Sequence, residues 1–446
     1  MHVCKRSSSS VLDSWQDDYR SKICSPEQAA SIIKDHDVIS MAGGSSIPRG
    51  FADALSQRAK NLHNVTLLQG YTLSRCEFMK AEFKDNIHIE TAFVGPTERT
   101  CIQMGLATYV PVHLHNIGEW LQRRQPNVVA NAVTPPDEHG YMNRSCYASL
   151  SHRKLFSSTE TVIVEVNPNL PWLCGEDFKI HVSEVDYIIE NAFPMEEIKD
   201  IPITGTETMI AHYISDMIPD GSTIQLGLGG LANAVGHFLK DKKDLGLHAE
   251  ILSNSAVELV KLGVVNGSRK TFYPGKVLGC FCVGDKELWQ FVDHNEDFCF
   301  FEVDFINDPQ VIGRNNNLVS VNNTLMMDLT GQAASESIGT YQYSGTGGQG
   351  DFVRGAGLSP GGKSILALNS TYVDKEDQLK SRIVPLLPAG TIVSTPRTDV
   401  EYVITEYGVA ALRWQSVAQR VKSLIGIAHP DFRDELRFQA QKTGWI

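Results

Sequence analysis

The chain has no apolar run of the roughly 18–20 residues that a membrane-spanning helix needs, so none is expected. It has no surplus of positive charge. Its 40 Lys and Arg against 52 Asp and Glu give a net charge of −12, which argues against a nucleic-acid partner and the basic face that would bind it. It has no CxxC pair: nine cysteines are scattered from Cys4 to Cys299, and only Cys280 and Cys282 stand close, around Phe281. An odd, unpaired set predicts reduced thiols and a cytoplasmic setting. Without a histidine cluster beside that C-x-C, no metal site is expected, and neither HLHNIGEW (113–120) nor DEHGY (137–141) has convincing zinc-ligand spacing. GxSxG, HExxH and P-loop motifs are all missing. Low complexity is confined to Ser7–Ser10, and the N-terminus, MHVCKRSSSSVLDSW, lacks an apolar signal core and reads as a frayed end.

What is present is a globular composition, 42% hydrophobic and 21% charged over 446 residues. That is too much chain for one ordinary core, so two or three domains are expected. SPEQAASIIKDHD from Ser25 has the cap and apolar spacing of a helix. Strands are predicted at Val38–Met41, Val65–Gln69, Thr91–Val94, Val128–Val133 and Thr161–Val166, with a helix at Gly50–Lys60. The polar, proline-punctuated run ENAFPMEEIKDIPITGTE suggests a boundary, giving domains 1–200 and 201–446. A second unit opens with a helix at Thr206–Met217, followed by strands at Thr223–Leu226, Glu250–Ser253, Val311–Ile312, Ile365–Leu368 and Thr391–Ser394. From Val409 onward the chain reads as helical. Short strands alternating with helices predict a mostly parallel α/β sheet in each half, with a ligand site in the crevice between them.

The two halves echo each other. LHNVTLLQ (62–69) and LHAEILSN (247–254) each follow an apolar run ending in glycines, DVISMAGGSSIP from Asp37 and STIQLGLGGLAN from Ser222. Where the first copy has Val65, the second has Glu250. A carboxylate at a strand position otherwise held by valine costs folding energy unless it is paired or used. His248, on the same strand face, matches His63 in a copy without the acid and reads as structural. Glu165, Glu258 and Glu406 are the rival carboxylates.

Two glycine-rich loops could accompany Glu250. GLGGLANA (227–234) is a strand-to-helix turn whose backbone lets a ligand approach and whose helix offers free N–H groups to an anion. It departs from G-x-G-x-x-G, yet Glu250 lies near enough downstream to leave a nicotinamide-binding reading open. SGTGGQGDFVRGA (344–356) is too rich in glycine for a stable helix interior, and its amides could donate to an oxyanion.

Longer runs carry a family likeness. LGLGGLANAV, LHAEILS, YPGKVLG, DFINDPQVIGRNNNLVSVNNTLMMDLTGQ, ESIGTYQYSGTGGQGDFVRGA and IAHPDFRDEL, with PPDEHGY, EVNPNLP and HVSEVDYIIE in the first half, resemble the acetyl-CoA hydrolase/transferase family of class I CoA-transferases. Within it they resemble the 4-hydroxybutyrate and butyryl-CoA:acetate CoA-transferase branch. The resemblance runs from about Tyr19 to near the end and implies two Rossmann-like α/β domains with the site in the cleft between them. It implies that Glu250 is the nucleophile, and that Gly227, Gly229, Gly230, Gly345, Gly347, Gly348 and Gln349 position the CoA thioester and its oxyanion. It further implies coenzyme A as substrate with no permanently bound cofactor, an acyl-CoA and a small carboxylate as partners, and a homodimer or homotetramer.

Two departures bear on substrate. Arg144 follows PPDEHGY where the family has small residues, and Asn254 replaces an aspartate after LHAEILS. An arginine near the acyl group could pair with a second carboxylate, predicting use of succinate or itaconate. The alternatives are an acyl-CoA hydrolase, a regulatory CoA-binding protein without turnover and, outside this chemistry, an NAD-dependent oxidoreductase.

Overall fold

The computed structural model describes residues 14–73 and 75–446, so the tract read as a frayed N-terminus lies outside the described residues. The fold is α/β. In the first half seven strands form one sheet in the spatial order Ala107–Tyr109, Ile87–Thr91, Val65–Leu68, Val38–Met41, Val128–Val133, Thr161–Val166 and Tyr187–Glu190. Every neighbouring pair runs parallel. Such sheets are covered on both faces, and Val128–Val133 is buried at all six positions. The second half holds six strands in the order Gly246–Leu247, Thr223–Gln225, Leu318–Asn323, Lys363–Ala367, Tyr402–Thr405 and Gly408–Ala411. Only the last pairing is antiparallel. Residues 191–204, between the two sheets, carry no helix or strand.

Helix starts follow their capping signals. Ser25 and Gln28 form a capping box on Pro26–Ser31, and Thr204 and Glu207 form another on Gly205–Asp216. Arg49–Arg58 has a different cap: the buried Glu165 carboxylate accepts the N–H groups of Gly50 and Phe51, both at 2.9 Å, and the Asn191 amide at 2.8 Å. Glu165 is therefore fully occupied as a helix-end counter-charge.

Four sequence expectations fail for local reasons. Val311–Ile312 closes a short helix, Pro309–Ile312, because Asp308 caps it and Pro309 opens it. The strand is the next apolar run, Leu318–Asn323. Thr391–Ser394 is a loop tied to its neighbours by Ser394 N–H to Ala333 O at 2.9 Å and Ile392 N–H to Ser337 Oγ at 2.7 Å. Val409 belongs to the antiparallel edge strand Gly408–Ala411, and the helices Val417–Ile427 and Pro430–Lys442 begin only after it. The strand expected at Thr91–Val94 ends at Thr91, which releases Phe93 into a loop.

The echo between the halves also slips in register. Val38 pairs with Thr66, but its counterpart Thr223 pairs with Gly246. Counted from those partners, Glu250 stands where the first half has Gly70, just beyond the strand's carboxyl end. There the chain leaves the main sheet: His248 bridges to Leu278, and Ile251–Leu252 pairs with Phe281–Cys282.

The halves are joined by an apolar cluster that includes Leu173 and Phe178 from the first and Phe298 and Phe300 from the second. The ring centroids of Phe178 and Phe300 are 5.8 Å apart. Through this layer runs a buried ion pair, and it overturns the expectation for Arg144. That side chain is fully buried and pairs with Glu302, while its Nη1 donates to the carbonyls of Ala148 and Ser151, both at 2.9 Å. A guanidinium fully buried against an interior carboxylate lines neither cavity beside Glu250 and does not face a substrate. Burial pushes the Glu302 carboxyl up, but Arg144, His152 and the Arg153 N–H together hold it below its ordinary range. Arg144→Ala leaves that carboxylate without its partner and is expected to destabilise the chain by about 3–5 kcal/mol. The measurement is the denaturant midpoint of the first unfolding transition compared with wild type, and an unshifted midpoint would contradict the assignment.

Candidate active site

Ligands of open α/β sheets bind where strand order reverses, beyond the carboxyl ends of the strands. In the second sheet that reversal lies between Thr223–Gln225 and Leu318–Asn323. The loops leaving these strands wall a cavity of about 190 Å³ whose lining includes Gln225, Gly227, Asn322, Asn323 and Glu250. The same cavity is closed by Gly345, Gly347, Gly348 and Gln349 of the second glycine loop, and by Phe93 from the first half. A second cavity, of about 320 Å³, meets Glu250 from the other side and draws Tyr71, Phe93 and Tyr147 from the first half against Phe281 and Val283 from the second. Glu250 thus stands between two cavities, at the junction of the halves.

The carboxylate is surrounded by protein yet keeps part of its surface open to the cavities. Its Oε2 accepts one hydrogen bond, from Asn307 Nδ2 at 3.0 Å. Burial drives its pKa up to about 7; the Asn307 amide opposes that rise, and the nearby Asp351 charge adds to it. Asn307 is fully buried, and the Cys280 thiol lies 4.0 Å from its Oδ1 while also reaching the Glu250 carbonyl at 3.3 Å. This contact turns the amide's N–H₂ end toward the carboxylate.

His248 supports the same group from behind. Its Nε2 lies 2.8 Å from Ile306 O, and its Nδ1 lies 3.0 Å from the Asn315 amide nitrogen. Burial pulls its pKa down to about 3, so the ring is neutral, with Nε2 donating and Nδ1 accepting. It fixes the residue next to Asn307 and takes no place in the cavity.

Gly348 has a steric role. A Cβ there would overlap Glu250 Oε2 and Asn307 Nδ2, so only glycine lets the loop close on the carboxylate. The N–H groups of Gly227, Gly347 and Gly348 have no protein acceptor among the described residues, which leaves them free to meet an anionic oxygen. The other loop residues divide. Gly229, at φ +106°, caps the helix Gly230–Phe238 and lines an outer groove of about 480 Å³. Gly230 packs on the Glu207 carboxylate, where a Cβ would overlap it, and does not line the inner cavities. The Gln349 side chain lines the cavity but is held there, accepting from Ser335 Oγ at 2.7 Å and donating to Asn323 O at 2.6 Å. Asn254 lines the outer groove and is bonded to Asp285 through both ends of its amide, each at 3.2 Å.

The reading of sequence missed Asn307, which carries no signal beyond its place in DFINDPQ, and the aromatic side chains, which come from distant segments. Tyr71 (φ +54°) lies three residues beyond the end of the strand Val65–Leu68, and Ser145 (φ +59°) precedes Tyr147 by two positions. Left-handed backbone at non-glycine residues costs about 1–2 kcal/mol each and clusters at functional sites. Gly44 explains the first half's glycine turn, because a side chain there would overlap the Tyr147 ring. His115 Nδ1 lies 2.7 Å from the buried Asp351 carboxylate, which raises its pKa. Among the described residues no group of three or more His, Cys, Asp and Glu could hold a metal ion, and no helix is long and apolar enough to cross a membrane.

A buried carboxylate beside two glycine loops, at the switch point of a Rossmann-like sheet, marks a ligand-binding α/β protein with an acidic group at its site. Comparison narrows the class. Residues 1–196 match the acetyl-CoA hydrolase/transferase N-terminal domain, and residues 284–440 match the C-terminal domain of the same name. The chain is 41% identical over 435 residues to a succinyl-CoA:cyclohexane-1-carboxylate CoA transferase of Geobacter metallireducens, covering 97% of this chain and 98% of that one. It is 38% identical to a 4-hydroxybutyrate coenzyme A transferase of Clostridium kluyveri, covering 96% and 99%. Among solved structures it superposes on RipA from Yersinia pestis with a TM-score of 0.92 at 35% identity, covering 97% and 100%. The chain belongs to the acetyl-CoA hydrolase/transferase family.

The raised Glu250 pKa has a consequence for stability. The folded state holds that proton more tightly than the unfolded chain, whose ordinary value is 4.5. Stability is therefore lost as pH rises from about 4.5 to about 7, the reverse of a salt-bridged carboxylate. Glu250→Gln, which cannot ionise, is expected to match wild type below pH 4.5, to gain over it across that window and to hold a constant advantage above it. Thermal melts over a pH series read this directly, and an advantage that shrinks with rising pH would refute the burial argument.

Proposed function

We propose that the chain is an acyl-CoA:carboxylate CoA-transferase working by a ping-pong mechanism through Glu250. The observation that supports this most strongly is the placement of that single desolvated carboxylate between free backbone amides, in a chain whose relatives along nearly their full length are CoA-transferases. A pKa near 7 leaves much of the group ionised at neutral pH and keeps it more basic than a solvated carboxylate.

A carboxylate oxygen of Glu250 attacks the thioester carbonyl carbon. The tetrahedral oxyanion is met by the amides of the glycine loops, the C–S bond breaks, and the CoA thiolate leaves a mixed anhydride on the side chain. The thiolate then attacks the glutamyl carbonyl carbon. This expels the substrate's carboxylate and leaves CoA joined to Glu250 as a thioester. An incoming carboxylate reverses both steps and departs as the new acyl-CoA. No proton or electron is gained or lost overall, so the residues named supply all that the exchange needs.

The outer groove offers a path for coenzyme A. Arg99 and Lys199 line its wall, and Gly229 opens a helix N-terminus onto it. The Arg99 guanidinium lies 4.4 Å from the Tyr343 ring centroid, which holds it at the groove.

Two experiments test this reading. Incubation with acyl-CoA and no acceptor is expected to add CoA to the tryptic peptide holding Glu250, detected by mass spectrometry; an unmodified peptide with intact thioester would refute the nucleophile. CoA release that continues without acceptor would instead mark a hydrolase. Gly348→Ala, which pushes a methyl group into the carboxylate, is expected to lower kcat by about 100-fold or more with an unchanged circular dichroism spectrum.

A further inference from the structure

The sequence suggested a second carboxylate on the substrate, but the cavity beside Glu250 is built for something else. Its wall is a continuous aromatic chain running from one half of the molecule to the other. Phe93 meets Tyr71 edge-on at 5.7 Å between centroids, Tyr71 stacks on Tyr147 at 5.9 Å, and Tyr147 meets Phe281 at 5.9 Å. Leu114 and Val283 line the same space. Among the described residues lining this space, Glu250 carries the sole charge. Arg144 is sealed against Glu302, and Arg99 and Lys199 line the outer groove, which shares Tyr71, Phe93, Leu228 and Val283 with this cavity.

Resting on the function proposed above, we infer that this cavity is the acyl subsite and selects an uncharged, apolar acyl group as bulky as a six-membered ring, in preference to a dicarboxylate. Size permits this. An apolar cavity of roughly 150 Å³ already holds a benzene ring, and this one measures about 320 Å³. Charge enforces it. The far carboxylate of a succinyl group would be stripped of water against four aromatic rings with no cation in the lining and only tyrosine hydroxyls to meet it, the buried Tyr147 hydroxyl being without a partner, while Glu250 adds like-charge repulsion. An apolar ring loses nothing on entry and gains contact with Phe93, Tyr147 and Phe281. Tyr71 and Tyr147 are delivered by strained backbone at Tyr71 and Ser145, so the wall is held in place before substrate arrives.

The test is a panel of free acids (acetate, hexanoate, benzoate and succinate) as CoA acceptors for the intact enzyme. Hexanoate and benzoate are expected to exceed succinate in kcat/KM by about 100-fold or more. Val283→Phe narrows the cavity and is expected to lower the benzoate-to-acetate ratio at least tenfold, by roughly the penalty of overfilling a packed site. Leu228→Arg, at a half-buried loop position on the rim, supplies a cation and is expected to raise the succinate-to-hexanoate ratio by about tenfold. A wild type that prefers succinate, or ratios that neither variant moves, would overturn the inference while leaving the transferase reading intact. Calorimetric binding of hexanoate and succinate to Glu250→Gln separates the two from the other side. Tighter hexanoate binding supports the subsite even if no acid accepts CoA, a result that would sink the transferase reading alone. Equal or tighter succinate binding overturns the subsite.

Discussion

One hydrogen bond organises this molecule: Asn307 Nδ2 to Glu250 Oε2, inside protein that otherwise disfavours the charge. Burial favours the neutral acid and the Asn307 amide favours the anion, so the two oppose each other at one group. A single amide holds it near the balance point. The surroundings serve that bond. Cys280 turns the amide, His248 pins the neighbouring Ile306 carbonyl, and Gly348 leaves the space in which the two side chains meet.

The second sheet supplies this apparatus almost alone, and the first sheet supplies the room around it. Phe93 and Tyr71 reach across from loops that leave the carboxyl ends of Ile87–Thr91 and Val65–Leu68, and Tyr147 from the short helix Ser145–Ser151 in the connection between Val128–Val133 and Thr161–Val166. Their positions depend on the buried layer that joins the halves, where Arg144 and Glu302 lie beneath the loop bearing Tyr147. That ion pair is structural, and through the bonds of Arg144 to Ala148 and Ser151 it holds the segment that carries Tyr147.

Much was legible beforehand. The strand at Val128–Val133 announced itself because burial on both faces demands an unbroken apolar run, and the helix expected at Thr206–Met217 is present as Gly205–Asp216, started by a local capping box. Glu250 was legible as a carboxylate out of place. The argument that singled it out compared it with Val65, yet the register makes Gly70 its counterpart, so the alignment beneath that argument does not hold. Val311–Ile312 misled because an apolar pair reads alike in strand and helix, and the decisive Asp308–Pro309 start lay just upstream.

The amino-acid order by itself determined the alternation of strand and helix, the two glycine turns and the presence of one unneutralised acid beside them, because periodicity, capping and backbone freedom are local properties. Only the tertiary structure decided which donor meets that acid, that Arg144 is sealed away from it, and that aromatic rings from remote loops wall the space beside it. Those outcomes depend on burial and on contacts between residues far apart in the chain, and neither is written in any short stretch of sequence.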